Sequence, residues 1–252
     1  DRIDILRNVQ GKENLSCEVI EKDWWVTQVL RAMYSLPYSQ HLSFKGGTSL
    51  SKCWNLISRF SEDVDIAIDR EYLGFSEVLS KNQISDKLRR AACSFVREKM
   101  QFDIANQLKA QGLSNHFEIN VNITPITTTD PEIVEVIYKP SLNGQAYVRP
   151  KVVIEISGRS MREPVAPVML GSIIDKYYPG APFAEALFEV RAVLPERTFL
   201  EKIFLLHEEF AKPKQFIRIE RMSRHMYDIL QILRTPIAEN AIHNEGLYRQ
   251  DI

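Results

Sequence analysis

Cysteine is scarce in this chain. Its 252 residues include three, Cys17, Cys53 and Cys93, an odd and scattered set with no Cys-x-x-Cys pair. That excludes a disulfide framework and a cysteine-built zinc site, and it fits reduced, buried thiols in a cytoplasmic protein. An excess of one charge is also missing: 32 Lys and Arg face 33 Asp and Glu, for a net charge of -1. A wholesale polyanion binder is thereby excluded, and any nucleic-acid contact must come from a local basic patch. No apolar run reaches the length of a membrane span and no signal-peptide pattern opens the chain, so no membrane partner is expected. Internal repeats and low-complexity tracts are absent, and the histidines show no metal-ligand spacing. What is present is a composition 44% hydrophobic, enough for one large domain or two modest ones.

The most informative segment is Arg59-Phe60-Ser61-Glu62-Asp63-Val64-Asp65-Ile66-Ala67-Ile68. In an extended strand, side chains at i and i+2 share a face, so Asp63 and Asp65 project together while Val64 and Ile66 meet the core. Two carboxylates that close repel unless a cation lies between them. A hard divalent metal such as Mg²⁺ or Mn²⁺ suits such oxygens, with water and substrate phosphates completing its shell. One helix-length upstream lies Lys45-Gly46-Gly47-Thr48-Ser49. The glycines let backbone approach a phosphate, and the helix expected to follow supplies N–H groups for an anion. The Walker spacing is not there. Ser61 either shapes the turn into the strand or bonds a phosphate. Arg59 either reaches a phosphate or is a solvated helix-end residue.

Hydrophobic periodicity organises the rest. Ser16–Leu36 reads as a helix with Ser16 as N-cap and Pro37 beyond its end, its tryptophans in the core. A short strand over His41–Phe44 enters the glycine loop, and Leu50, Cys53, Trp54 and Ile57 predict an amphipathic helix after it. Residues Ser76–Gly112 read as long, basic helices. Strands follow at His116–Thr124, Glu132–Tyr138 and Ala146–Ser157, the last two joined by an Asn143-Gly144 turn, and another at Phe188–Leu194. Helices are expected at Pro195–Ala211 and Gln215–Leu233, separated at Pro213. The fold class is α+β, with a mixed α/β lobe over residues 1–170 and a mainly helical lobe over residues 171–252.

Lys45-Gly46-Gly47-Thr48-Ser49-Leu50-Ser51-Lys52, followed by Arg59-Phe60-Ser61-Glu62-Asp63-Val64-Asp65, closely resembles the AbiEii/AbiGii-type nucleotidyltransferase toxins of abortive-infection systems. These belong to the DNA polymerase β-like nucleotidyltransferase superfamily. Glu21-Lys22-Asp23-Trp24 is similar to the family's N-terminal signature. The runs Glu196–Ile203 and Arg224-His225-Met226-Tyr227-Asp228 are similar to its C-terminal motifs, so the resemblance extends from about residue 21 to residue 230. It implies a polymerase β-like core, a mixed sheet with flanking helices, and transfer of a nucleoside monophosphate from an NTP to an acceptor. The implied acceptor is RNA, notably the 3′ end of tRNA, and the implied setting is a phage-defence toxin with a cognate antitoxin encoded nearby. By position, Asp63 and Asp65 would carry divalent metal, and Gly46, Gly47, Thr48 and Ser49, with Lys45 and Ser61, would hold the triphosphate. Lys202 matches the family's functional lysine and Asp228 its second-domain aspartate.

The superfamily usually adds a third carboxylate from a neighbouring strand. Glu155 is the candidate, because it interrupts the apolar run Val152–Ile156, and a buried acid calls for a metal or an arginine such as Arg149. Lys202 sits at the edge of the stripe formed by Phe199, Ile203, Leu206 and Phe210, within snorkelling reach of a cleft. Asp228 has a simpler reading as the helical salt-bridge partner of Arg224. His225 reads as a surface or core-edge residue. The expected mechanism is two-metal phosphoryl transfer, with the basic helices of Ser76–Gly112 and the cluster Arg218, Arg221 and Arg224 available for acceptor phosphates. Two alternatives stand beside this one. The acceptor is a protein or a small molecule such as an aminoglycoside, or the chain is a catalytically weak homologue acting as a binding module.

Overall fold

The structure is a computed structural model describing residues 2–59, 61, 63–75, 84–122, 132–142, 148–158, 164–220 and 222–249. Its described residues form a seven-stranded mixed sheet with helices packed around it. The strands are β1 (Leu42–Lys45), β2 (Asp63–Ile68), β3 (Phe117–Asn122), β4 (Glu132–Tyr138), β5 (Lys151–Ser157), β6 (Val165–Leu170) and β7 (Phe188–Val193). They lie in the order β3-β4-β5-β2-β1-β7-β6. Strand β2 runs parallel to β5 and antiparallel to β1, while β1 is parallel to β7. The remaining neighbours pair antiparallel. The two aspartates therefore sit on a central strand.

Helix α1 (Arg2–Glu13) precedes α2 (Cys17–Tyr34), whose start is capped by Ser16 accepting from the Val19 amide. Helix α2 is buried nearly all round rather than along one stripe. Trp25, Val29 and Met33 are fully covered, and so are Glu21, Lys22 and Gln28. The polar members are accommodated by specific partners: Glu21 accepts from the Ser141 amide and hydroxyl, and the Lys22 ammonium donates to the Arg149 carbonyl. Trp25 stacks on Tyr138 with centroids 5.0 Å apart.

The chain from Ile84 to Ala110 is helical as expected, with two π turns interleaved with α4 (Arg89–Phe95) and α5 (Gln101–Ala110). Residues 76–83 of that expected helical stretch lie outside the described residues, as do the ends of two expected strands and the Asn143-Gly144 turn. Beyond β6 come α6 (Ile173–Tyr177) and β7, so the sheet draws on residues past position 170, where composition placed the lobe boundary. Helices α7 (Pro195–Phe210), α8 (Met222–Leu233), α9 (Pro236–His243) and α10 (Glu245–Arg249) follow.

Two expected helices prove shorter. The one after the glycines, α3, spans only Gly46–Lys52 and takes both glycines into its first turn. Asn55 adopts φ 51°, and the Leu56 amide bonds back to the Leu50 carbonyl, which closes the helix before Trp54 and Ile57. The second starts at Met222, not Gln215. The buried Glu209 carboxylate gathers the Arg218 amide and guanidinium and the Lys212 ammonium, and so folds residues 212–220 back over the end of α7. Those donors hold Glu209 down at a pKa of about 2.

The main core lies between α2, α4, α5 and the sheet. A second cluster joins Phe199, Leu200, Ile232 and Ala241 of the C-terminal helices to Leu50 and Ile57. Burying a phenylalanine such as Phe199 stabilises by about 1.5–3 kcal/mol. The helical lobe is thus fastened to the glycine-bearing segment itself. The three cysteines are free. Among the described residues, no helix is long and apolar enough to cross a membrane.

Candidate active site

A cavity of about 1180 Å³ opens between the sheet and helices α7 and α8. Strand register builds its floor. Lys45 of β1 stands opposite Asp65 of β2, and Asp65 stands opposite Glu155 of β5. The three form a row across neighbouring strands, with Asp63 two residues along β2. All four line the cavity. Asp63 and Asp65 thus open onto one cavity, while Glu155 faces Asp65 rather than Arg149, which precedes β5 and is exposed.

The electrostatic result is a strained row. Burial first, then the Glu155 charge, pushes the Asp65 carboxyl up to about 7, against the pull of Lys45 and Lys202. A cation beside Asp65 would relieve this. Among the described residues, no group of three or more His, Cys, Asp or Glu side chains is arranged to hold a metal by itself. Mg²⁺ does not need such a cage, because it commonly binds one or two carboxylates plus substrate phosphates and water. The donor set fits that manner of binding.

Gly46 comes close against this row, and Gly47 against Arg59 and Ser61. Gly46 has φ 75°, and a Cβ on it would lie 1.7 Å from Asp65 Oδ2. A Cβ on Gly47 would lie 2.8 Å from Arg59 Nη2 and 2.9 Å from Ser61 Oγ. Only glycine leaves room for those side chains, a reason the sequence alone did not disclose. Gly46, Gly47 and Ser61 line the cavity. Thr48 and Ser49, expected at a triphosphate, do not: each is 1% exposed. The Thr48 hydroxyl is committed to the Asp63 carbonyl and lies 2.9 Å from Ser61 Oγ, so it braces the aspartate strand from behind.

The opposite wall is organised by one buried carboxylate. Asp228 on α8 is fully covered and does not line the cavity. Its partner is not Arg224. Arg59 grips it in a fork, Nε to Oδ1 and Nη2 to Oδ2, both at 2.7 Å. Lys202 of α7 lies 3.0 Å from Oδ2. Burial pushes the Asp228 carboxyl up, but Arg59 and Lys202 outweigh it and hold the pKa below the usual value. Lys202 Nζ also stands 3.3 Å from His225 Nδ1. Burial and the adjacent ammonium lower His225 to about 4, so its neutral ring can accept from Lys202. Arg59, Lys202 and His225 all border the cavity.

Sequence reasoning left Glu201 without a role. It bonds Lys45 at 2.7 Å from across the cavity. Nothing local marks this, since the two residues are 156 positions apart. Of the basic cluster, Arg218 and the exposed Arg224 line the cavity, and Arg221 lies outside the described residues. No described residue of the basic 84–112 stretch lines it. Arg97 instead pairs with Glu132, and Lys99 with Asp103.

Residues 28–250 match the family model described as the nucleotidyl transferase AbiEii toxin of type IV toxin–antitoxin systems. No curated protein matches the chain. Among solved structures, MenT4, a nucleotidyltransferase toxin from Mycobacterium tuberculosis, is similar with a TM-score of 0.54 and 18% identity, over 98% of this chain and 68% of that one. The likeness shows a shared fold.

Proposed function

The chain belongs to the AbiEii family of nucleotidyltransferase toxins, and on that premise we propose that its cavity transfers a nucleoside monophosphate from a metal-bound NTP to the 3′ end of an RNA, with tRNA as the acceptor. The enzyme is a nucleotidyltransferase, and its family is that of type IV toxin–antitoxin systems, which implies an NTP substrate and a cognate antitoxin.

The observation that carries the reading is the cross-strand row Lys45–Asp65–Glu155 beside Asp63, facing Lys202 over one cavity. Asp63 and Asp65 would hold Mg²⁺ or Mn²⁺, with Glu155 as the third carboxylate. When bound, the metal supplies Lewis-acid stabilisation of phosphoryl oxygens and lowers the pKa of the attacking hydroxyl. The chain's own residues do the positioning, which dominates catalysis of this kind. Backbone at Gly46 and Gly47, with Lys45 and Ser61, receives the triphosphate. Lys202, fixed by Asp228 and His225, presents a cation to charge that develops on the phosphates. Arg59, held by the same carboxylate, lies against Gly47 and adds a second cation. Asp228 positions these two and touches no substrate. Arg224 and Arg218 stand where acceptor phosphates would pass.

The test is incubation of the protein with each labelled NTP, total RNA and Mg²⁺. Label is expected in tRNA, to be abolished by a chelator and reduced roughly 10³-fold in Asp63→Ala. Equal labelling by wild type and Asp63→Ala would sink the site assignment. Label appearing in protein or a small acceptor, with none in RNA, would replace the acceptor.

A further inference from the structure

The two lysines of the cavity are countered in different ways. Lys202 leans on Asp228, whose side chain is 0% exposed and also forked by Arg59. That anion is held in place, because its departure would take the shared counter-ion from both Arg59 and the mostly buried Lys202. Lys45 leans on Glu201, whose side chain is 25% exposed and borders the cavity. Among the described residues, Lys45 is the cation paired with Glu201, with no second one comparable to Arg59 on Asp228. A pair at the cavity wall, with side chains 12% and 25% exposed, costs less to open than one built on the fully covered Asp228.

Lys45 is also the residue that leads into Gly46 and Gly47 and stands beside Asp65. Phosphate oxygens arriving at those glycines would compete with Glu201 for the same ammonium. Glu201 comes from α7, the helix that carries Lys202, so the pair spans from the sheet to the helical wall.

Resting on the nucleotidyl-transfer reading, we infer that Glu201 is a stand-in anion that sets nucleotide affinity. It holds Lys45 until a triphosphate displaces it, and it takes Lys45 back as pyrophosphate leaves. Glu201 is then a positioning residue that sets affinity through Lys45, and its effect is to weaken binding of triphosphate and pyrophosphate alike.

Calorimetry tests this with the full chain, Mg²⁺, pyrophosphate and the four α,β-methylene nucleoside triphosphates. Glu201→Gln is expected to tighten binding of pyrophosphate and of the preferred analogue by roughly tenfold. In a Lys45→Gln background the same substitution is expected to change binding less than twofold, since the competition has lost its object. Unchanged or weaker binding by Glu201→Gln overturns the inference, and weaker binding points to Glu201 as a ligand of the bound nucleotide. Equal tightening in both backgrounds also overturns it, because a general loss of negative charge then accounts for the effect. If wild type binds none of the probes, the nucleotidyl-transfer reading fails first and the inference falls with it.

Discussion

The two walls of the cavity are built on opposite electrostatic plans. On the sheet wall, Asp63, Asp65 and Glu155 are brought together by strand register, and burial first, then the Glu155 charge, raises the proton affinity of Asp65. On the helical wall, Lys202 and Arg59 share one counter-ion, the buried Asp228, which fixes both side chains and leaves one positive charge uncompensated. One wall stores repulsion that an incoming cation relieves. The other keeps its own charges fixed relative to one another, so that they need no rearrangement when phosphate charge arrives. A site that handles a metal and a polyphosphate together requires both arrangements, and the fold supplies one from strands and the other from helices.

The comparison is most exposed to failure at Asp228. Asp228→Ala should cost about 3–5 kcal/mol of stability, because it leaves two cations buried without their shared anion. Urea unfolding measures this, and a midpoint equal to that of wild type would mean the helical wall is not held as described. Asp65 tests the other wall in the opposite direction. Its folded pKa is about 7, above its unfolded value, so its contribution to stability is full below the unfolded pKa and is lost as pH rises through 7. Asp65→Asn should therefore stabilise the metal-free protein by about 1–2 kcal/mol at pH 8 and by little at pH 4, while abolishing transfer. A melting temperature unchanged at pH 8 would show that the row stores no repulsion. The smallest effect is expected at Arg224, which is exposed and lines the cavity. Arg224→Ala should raise the acceptor KM a few-fold with NTP affinity unchanged and stability within about 0.5 kcal/mol of wild type. A loss confined to NTP binding would move Arg224 from the acceptor to the triphosphate.

Local periodicity carried much of the reading. The alternation around Asp63 and Asp65 specified a strand with both carboxylates on one face, and Ser16 announced the start of α2. Glu155 was legible as a carboxylate inside an apolar run. Periodicity failed where long-range contacts overrode it. The stripe Leu50, Cys53, Trp54 and Ile57 is helical in spacing, yet the chain turns at Asn55, and the Trp54 indole donates to the Val193 carbonyl instead. Asp228 and Arg224 had ideal i, i+4 spacing, but Arg59, 169 residues away, is the partner. Thr48 and Ser49 looked like phosphate-binding hydroxyls because sequence does not tell which side of a helix faces a cavity.

The chemistry at hand is written in the chain: two carboxylates on one strand face, glycines close upstream and a lysine on a later amphipathic helix. These follow from spacing over a few residues, where backbone geometry leaves little freedom. Which charges meet is settled by packing alone. Strand order placed Glu155 beside Asp65, helix docking delivered Asp228 to Arg59 and Lys202, and the closeness of the two walls set Glu201 on Lys45. Ion pairs act through space, and their partners are chosen by packing.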